Sequence, residues 1–232
     1  MVTRAVEDYL KAIYKLQREG EPASTNAIAE ALNIRAASVT SMLKWLSGQG
    51  MANYERYQGV QLTDKGLAEA LRVIRRHRLI ELYLNQYLDV PWDRVHPEAE
   101  RLEHAITPYL EERIDARLGF PQFDPHGAPI PTSAGTIPQR DLITLYDLQP
   151  GELSVVQHIP DDNADLLRHV ADLGLLPNVE LVVREHDPLD GSVQVVVRHG
   201  QSGDGDAAQR VEREVASRVF VSRPKVMEKV ME

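Results

Sequence analysis

The sequence predicts a mainly α-helical chain with small β parts: an N-terminal winged helix-turn-helix, a helical dimerisation segment and a small C-terminal β-barrel. Three observations carry this. Through residue 118 the apolar residues recur at the ~3.6-residue helical period, broken early by one short hairpin pattern. Residues 120–140, F-P-Q-F-D-P-H-G-A-P-I-P-T-S-A-G-T-I-P-Q-R, hold prolines that prevent helix and central strand and mark a linker. Beyond them the period becomes two. The expected domains are therefore 1–75 (winged helix), 76–140 (helices and linker) and 141–232 (β-barrel).

With 232 residues and 43% apolar content, the chain can build two or three small cores. It has no cysteine, which excludes a disulfide scaffold, a cysteine zinc ribbon and an iron–sulfur cluster. Oxygen and nitrogen must hold any metal. The net charge of −9 is uneven, since residues 1–75 carry 10 Lys+Arg against 8 Asp+Glu and the remainder 16 against 27. Only the first third suits DNA. The start M-V-T-R-A-V-E-D-Y-L has no apolar leader run, and no stretch is apolar enough to span a bilayer. A cytoplasmic chain without membrane contact is expected.

The first helix is read from Val6, Leu10, Ile13, Tyr14 and Leu16 and stops at Gly20-Glu21-Pro22, with Asp8 on its polar side. Ser24-Thr25 caps a short helix, Asn33-Ile34-Arg35 turns, and A-A-S-V-T-S-M-L-K-W-L begins a second. Ile28, Leu32, Ile34, Val39, Leu43 and Leu46 would lock the pair, leaving Arg35, Ala37, Ser38, Thr40, Ser41 and Lys44 outward. Small side chains there let the helix enter a major groove closely, where hydroxyls reach base edges or phosphates and Ala37 meets a thymine methyl. M-A-N-Y-E-R, a turn at Tyr57-Gln58-Gly59 and V-Q-L-T form the wing, with Arg56, Tyr57 and Gln58 at its tip. A long helix follows from Leu67 to Leu88, then a helix Pro97–Ile106 and one capped by Thr107-Pro108 that ends at Gly119. The apolar positions of residues 84–118, among them Leu84, Tyr87, Leu88, Leu102, Tyr109 and Leu110, exceed what these helices can hide, so a symmetric dimer is expected. After the linker, L-S-V-V-Q-H-I, V-E-L-V-V-R-E-H, S-V-Q-V-V-V-R-H and R-V-F-V-S-R read as strands and A-D-L-L-R-H-V-A-D-L-G-L as a helix. The polar insert G-Q-S-G-D-G-D-A-A-Q reads as a mobile loop.

Residues His77 to His104 concentrate metal donors. His77 and Glu81 are i and i+4, Glu100, Glu103 and His104 are i, i+3 and i+4, and His96 lies between. Such charges often form only a solvated helix face, but three histidines in 28 residues and the carboxylate of Asp8 favour a divalent ion. Catalytic patterns fail: an inverted zinc-protease motif needs histidine where Glu100 stands, and a di-iron bundle needs glutamate where Arg101 stands. No nucleophile, phosphate loop or acid–base pair accompanies the ligands, so the site reads as regulatory and the chain as a non-enzyme. A metal buffer without DNA activity is the alternative, and it has no use for a wing.

Taken in order, E-D-Y-L-K-A-I-Y-K-L, I-A-E-A-L, A-A-S-V-T-S-M-L, Y-x-G-V-x-L-T-x-K-G, R-R-H-R-L-I-E, V-H-P-E-A-E-R-L-E-H and P-H-G-A-P-I-P resemble the metal-dependent repressors of the diphtheria toxin repressor type, in their manganese-responsive branch. L-G-L-L-P-N-V-E-L is similar to a pattern of the SH3-like domain in the longer members. The resemblance implies a regulatory metal site of Asp8, Glu100, Glu103 and His104, and an ancillary one of His77, Glu81 and His96. Iron-responsive relatives have methionine and cysteine where Asp8 and Glu100 stand; the carboxylates here suit Mn2+, with Fe2+ or other divalent transition ions also admissible. Lys11 stands where the short manganese regulators carry a glutamate of a second metal position, so no two-metal cluster is expected on the first helix. In the longer members the SH3-like domain supplies a glutamate and a glutamine. The nearest positions here, Asn163 and Leu166, carry neither, and Asp161, Asp162 and Asp165 are the acidic residues around them. The resemblance further implies a homodimer on double-stranded DNA at a palindromic operator, repressing manganese and iron transport genes.

Overall fold

The computed structural model describes residues 3–17, 21–198 and 208–224. They fall into two compact units, one of Met1–Ile80, Ala99–Gly119 and Ile130–Ile137, the other of Glu81–Glu98, Phe120–Pro129 and Pro138–Glu232.

The first unit opens with α1 (Arg4–Leu16), α2 (Thr25–Ala31) and α3 (Ala36–Gly48). Val6, Tyr9, Leu10 and Ile13 of α1 share a buried cluster with Ile28, Val39, Leu43 and Leu46. Each such aliphatic side chain contributes about 1.5–3 kcal/mol on burial. Of the six residues expected to lock the helix pair, Leu32 packs half-buried and Ile34 is 39% exposed. The turn between the helices takes Asn33 to φ 51°, a left-handed conformation that asparagine tolerates. Ser24 caps α2 by accepting from the Ala27 amide.

β1 (Ala52–Glu55) and β2 (Gly59–Leu62) pair antiparallel with Glu55 opposite Gly59, so Arg56, Tyr57 and Gln58 form the tip of the wing. Gly59 has φ 101°, and a Cβ there would lie 2.7 Å from the Ala23 carbonyl oxygen, because Ala23 bridges to Val60 beside it. α4 (Asp64–Leu88) follows, then α5 (Val95–Leu102) and α6 (Pro108–Arg117). Thr107 caps α6, with proline at the first turn as expected. Against α6 the buried Arg75 guanidinium is gripped by Glu111 (3.0 Å), Asp115 (2.5 Å) and the Pro131 carbonyl (2.8 Å).

The helix that carries Glu100 differs from expectation. It starts two residues before Pro97 and ends at Leu102, so Glu103 and His104 stand in the turn that closes it rather than on the helix face. The Glu103 amide still bonds the Ala99 carbonyl, while Ala105 switches to Leu102, tightening the last turn.

In the second unit a six-stranded antiparallel sheet runs in the order β3-β8-β4-β5-β6-β7, with β3 Leu142–Thr144, β4 Leu153–His158, β5 Glu180–His186, β6 Val193–Arg198, β7 Ala208–Val211 and β8 Phe220–Ser222. α7 (Ala164–Asp172), capped by Asn163, and the short α8 (Arg213–Ala216) complete it. Alternate residues of β5 and β6, Leu181, Val183, Val193, Val195 and Val197, face a core with Leu167, Val170 and Val221. The expected loop 200–209 lies mostly outside the described residues; its last two, Ala208 and Gln209, are the start of β7, which pairs with β6. The linker contributes order of its own. Gly127 at φ 84° passes so close to the Gln157 carbonyl that a Cβ would fall 1.8 Å from its oxygen, and Ile159 donates to the His126 carbonyl. Among the described residues no helix is long and apolar enough to cross a membrane.

Candidate metal centre and nucleic-acid interface

In the first unit, Asp8, Glu103 and His104 offer one ligand atom each within 4.8 Å of one another. His104 Nε2 lies 2.9 Å from Asp8 Oδ1 and 3.2 Å from Glu103 Oε1, yet it makes no directed hydrogen bond although buried. Its other nitrogen explains this. Nδ1 donates to Glu7 Oε2 at 2.6 Å, and the second Glu7 oxygen takes Arg76 at 2.7 Å. With Nδ1 turned to Glu7, Nε2 faces two carboxylate oxygens. Two carboxylate oxygens converging with a buried ring nitrogen that has no hydrogen-bond partner, on an imidazole oriented by a carboxylate behind it, is a donor arrangement a divalent ion resolves. These residues fit a metal.

Glu103 is buried, and each of its oxygens has a cationic or imidazole neighbour. Oε2 is 2.5 Å from His77 Nδ1, and Oε1 is 2.5 Å from Lys11 Nζ. Burial alone would push its pKa up, but His77 and then Lys11 hold the carboxyl below its ordinary value. Lys11 also donates to Glu100 Oε2 at 2.8 Å. Burial would depress that ammonium's pKa, and Glu103 and Glu100 together keep it above the usual lysine value. Glu100 thus groups with His77 and Glu103 rather than directly with Asp8. His77 and Glu103 come together here, whereas the sequence placed them in different sites.

In the second unit Glu81, His96 and Asp161 converge: His96 Nδ1 is 3.0 Å from Glu81 Oε1 and 2.8 Å from Asp161 Oδ2. Burial would lower the imidazole pKa, but Asp161 and Glu81 raise it to about 10. Asp161, one of three aspartates left open by the sequence, is therefore the one that reaches the group. Glu81 also lies within ligand range of Asp124 and His126, all three buried. His126 spends Nε2 on the Trp92 carbonyl at 2.8 Å, and its buried Nδ1 has no hydrogen-bond partner. Asp124 Oδ1 accepts from the His126 and Ala128 amides.

Sequence reasoning missed Glu7, Asp124 and His126 as members of these groups. No local spacing signals Glu7, whose partners His104 and Arg76 are distant in sequence, and the last two lie in a proline-rich stretch that reads as linker.

On the N-terminal face, α3 and the wing enclose a groove of about 640 Å³ that Ala37, Thr40, Lys44 and Arg56 line. Ser38 and Ser41 are exposed on α3 and Arg35 is exposed at its N-cap, but none of the three lines it. Thr40 and Ser41 donate their hydroxyl protons to the Ala36 and Ala37 carbonyls, leaving acceptor lone pairs outward. Ser24, Thr25 and Asn26, read as no more than a cap, border the same groove from the start of α2. Arg56 stacks over the Tyr57 ring at 4.9 Å, Tyr57 is 90% exposed, and Trp45 stands 47% exposed on α3.

Residues 1–60 match the family model described as iron dependent repressor, N-terminal DNA binding domain. Residues 63–132 match that for its metal binding and dimerisation domain, and 143–223 the FeoA domain. The iron-dependent repressor IdeR of Mycobacterium tuberculosis is 33% identical over 206 residues, spanning 83% of this chain and 89% of that protein. The HTH-type transcriptional regulator MntR of Bacillus pumilus is 36% identical over 120 residues, 52% of this chain and 83% of its own. A solved manganese-dependent transcriptional repressor in complex with manganese superposes with a TM-score of 0.83 at 36% identity, covering 94% of this chain and 99% of that one. From the winged N-terminal helices to the FeoA sheet, this chain belongs to the iron-dependent repressor family, whose members are metal-dependent, DNA-binding regulators of transcription.

Proposed function

We propose that the chain is a manganese-activated homodimeric repressor of metal-transport genes, acting in the cytoplasm at palindromic operators. The observation that carries the metal reading is the convergence of His104 Nε2, Asp8 Oδ1 and Glu103 Oε1 with the His104 Nδ1 proton held by Glu7. Glu100, one turn before Glu103, completes the regulatory set. Its donors are oxygen and nitrogen only, which a hard ion such as Mn2+ accepts and which gives no special advantage to softer ions. A second site centres on Glu81. His96 and Asp161 approach it from one side and Asp124 and His126 also lie within its range, while His77 occupies the preceding turn of α4. Taking an ion there requires neutral His96 and so releases its proton.

A divalent ion supplies the positive charge that lets these carboxylates stay close. The residues do the rest. Asp8 belongs to α1, which packs on the helix-turn-helix, and Glu103 and His104 close α5, so joint ligation fixes α1 to α5. In a dimer that fixes each recognition helix, and two half-sites about one helical turn or a multiple apart are read together. Ala37, Thr40, Lys44 and Arg56 border the groove for DNA, with exposed Arg35 at the N-cap of α3 and exposed Ser38 and Ser41 on the helix itself.

DNA affinity measured against free metal concentration, without oxygen, tests the assignment. Replacing Asp8→Met with Glu100→Cys should lower activation by manganese and keep activation by ferrous iron or cobalt, while Glu103→Ala should weaken every metal. Manganese activating the double variant as well as the parent would remove these two side chains from the specificity of the site.

A further inference from the structure

Lys11 is an unusual residue to find on the buried stripe of α1. It is 6% exposed and sits between Leu10 and Ala12 in a helix whose inward face is otherwise apolar. Its ammonium reaches Glu103 Oε1 at 2.5 Å and Glu100 Oε2 at 2.8 Å. The first of these is the same oxygen that faces His104 Nε2. The oxygen that the metal reading needs is thus already held by a fixed positive charge from the same helix as Asp8.

Resting on the metal-site reading above, we propose that Lys11 is an internal competitor for the regulatory ion: its ammonium occupies the cation position on Glu103 Oε1 and Glu100 Oε2, and an ion ligated by those oxygens must displace it. Two cations sharing one carboxylate oxygen in a buried site repel strongly, because little water screens them. The ion is therefore bound against the departure of the ammonium, and the affinity of the site is set lower than its donors alone would make it. The same contact keeps Glu100 and Glu103 from repelling each other, so α1 is joined to the end of α5 by a weaker link of the same sign.

Removing a purely structural lysine would loosen the ligands and weaken the ion; removing a competitor tightens it. The two roles are separated by titrating the full-length chain with Mn2+ alone and following the free-ion EPR signal, in a Glu81→Gln background that silences the second site. There, a single ion per protomer, lost on Glu103→Gln, is expected; an ion that survives Glu103→Gln would overturn the regulatory-site reading itself, whatever Lys11 does. With that ion in place, Lys11→Met should bind Mn2+ about tenfold or more tightly, and Lys11→Arg should stay near the parent. Lys11→Gln, which keeps a polar amide donor but not the charge, should tighten binding as well and decides the matter if the methionine variant does not fold. Unchanged or weaker binding in the neutral variants would overturn the competitor role.

Discussion

Glu7 accepts the Nδ1 proton of His104, and that hydrogen bond decides which ring nitrogen faces Asp8 and Glu103. Without it the imidazole is free to rotate or to change tautomer. Glu7→Ala should therefore reduce metal affinity by about 10–100-fold, the usual effect of losing the group behind a histidine ligand, while the CD spectrum of the metal-free chain stays that of the parent. A Mn2+ titration that superposes on the parent curve would show that Glu7 does not orient His104. At this scale the candidate donor types were legible in the sequence, because i, i+3 and i+4 spacings and the absence of cysteine are local facts. Their grouping was not. Glu7 meets His104 across 97 positions and Lys11 meets Glu103 across 92, distances over which no periodicity speaks. His77 shares α4 with Glu81, as the sequence reads, and its Nδ1 also meets Glu103 across 26 positions, a pairing no local spacing shows.

Elements were easier to read than groups. The wing, α3 and α7 follow from capping residues, turns and apolar period, each a property of a few consecutive residues. Where the reading failed, the cause lay elsewhere in the fold. α5 stops at Leu102, and Glu103 and His104 then sit in a turn, which a helix-period count would extend straight through. β7 begins inside a stretch of polar and small residues, because pairing with β6 supplies hydrogen bonds whatever the side chains are. The groove between α3 and the wing carries its own test. Lys44→Ala and Arg56→Ala should weaken binding to every DNA sequence and lower the salt dependence by about 0.9 log units per log unit of salt for each phosphate contact removed. Slopes equal to the parent's, measured by anisotropy over a range of salt, would place both residues outside the backbone footprint.

For the whole molecule, the question is what covers the apolar side chains of its helices. In the first unit Tyr109 is 73% exposed and Leu102 and Leu110 at least 40%, an arrangement that a lone protomer would leave in water. The family's dimerisation model spans these residues. Sedimentation of the chelator-treated protein at micromolar concentration should thus give a dimer, and a monomer there would mean that the metal itself drives assembly. The chain has only two tryptophans, and they report on different places. Trp92 packs against His126 in the second unit, whereas Trp45 stands half exposed on α3. That indole stands partly in water, and a duplex seated on α3 that excluded this water would shift its emission, giving the helix its own optical signal. With Trp92 replaced by phenylalanine, a blue shift in the remaining fluorescence would let operator docking be followed in real time with no dye attached to either molecule.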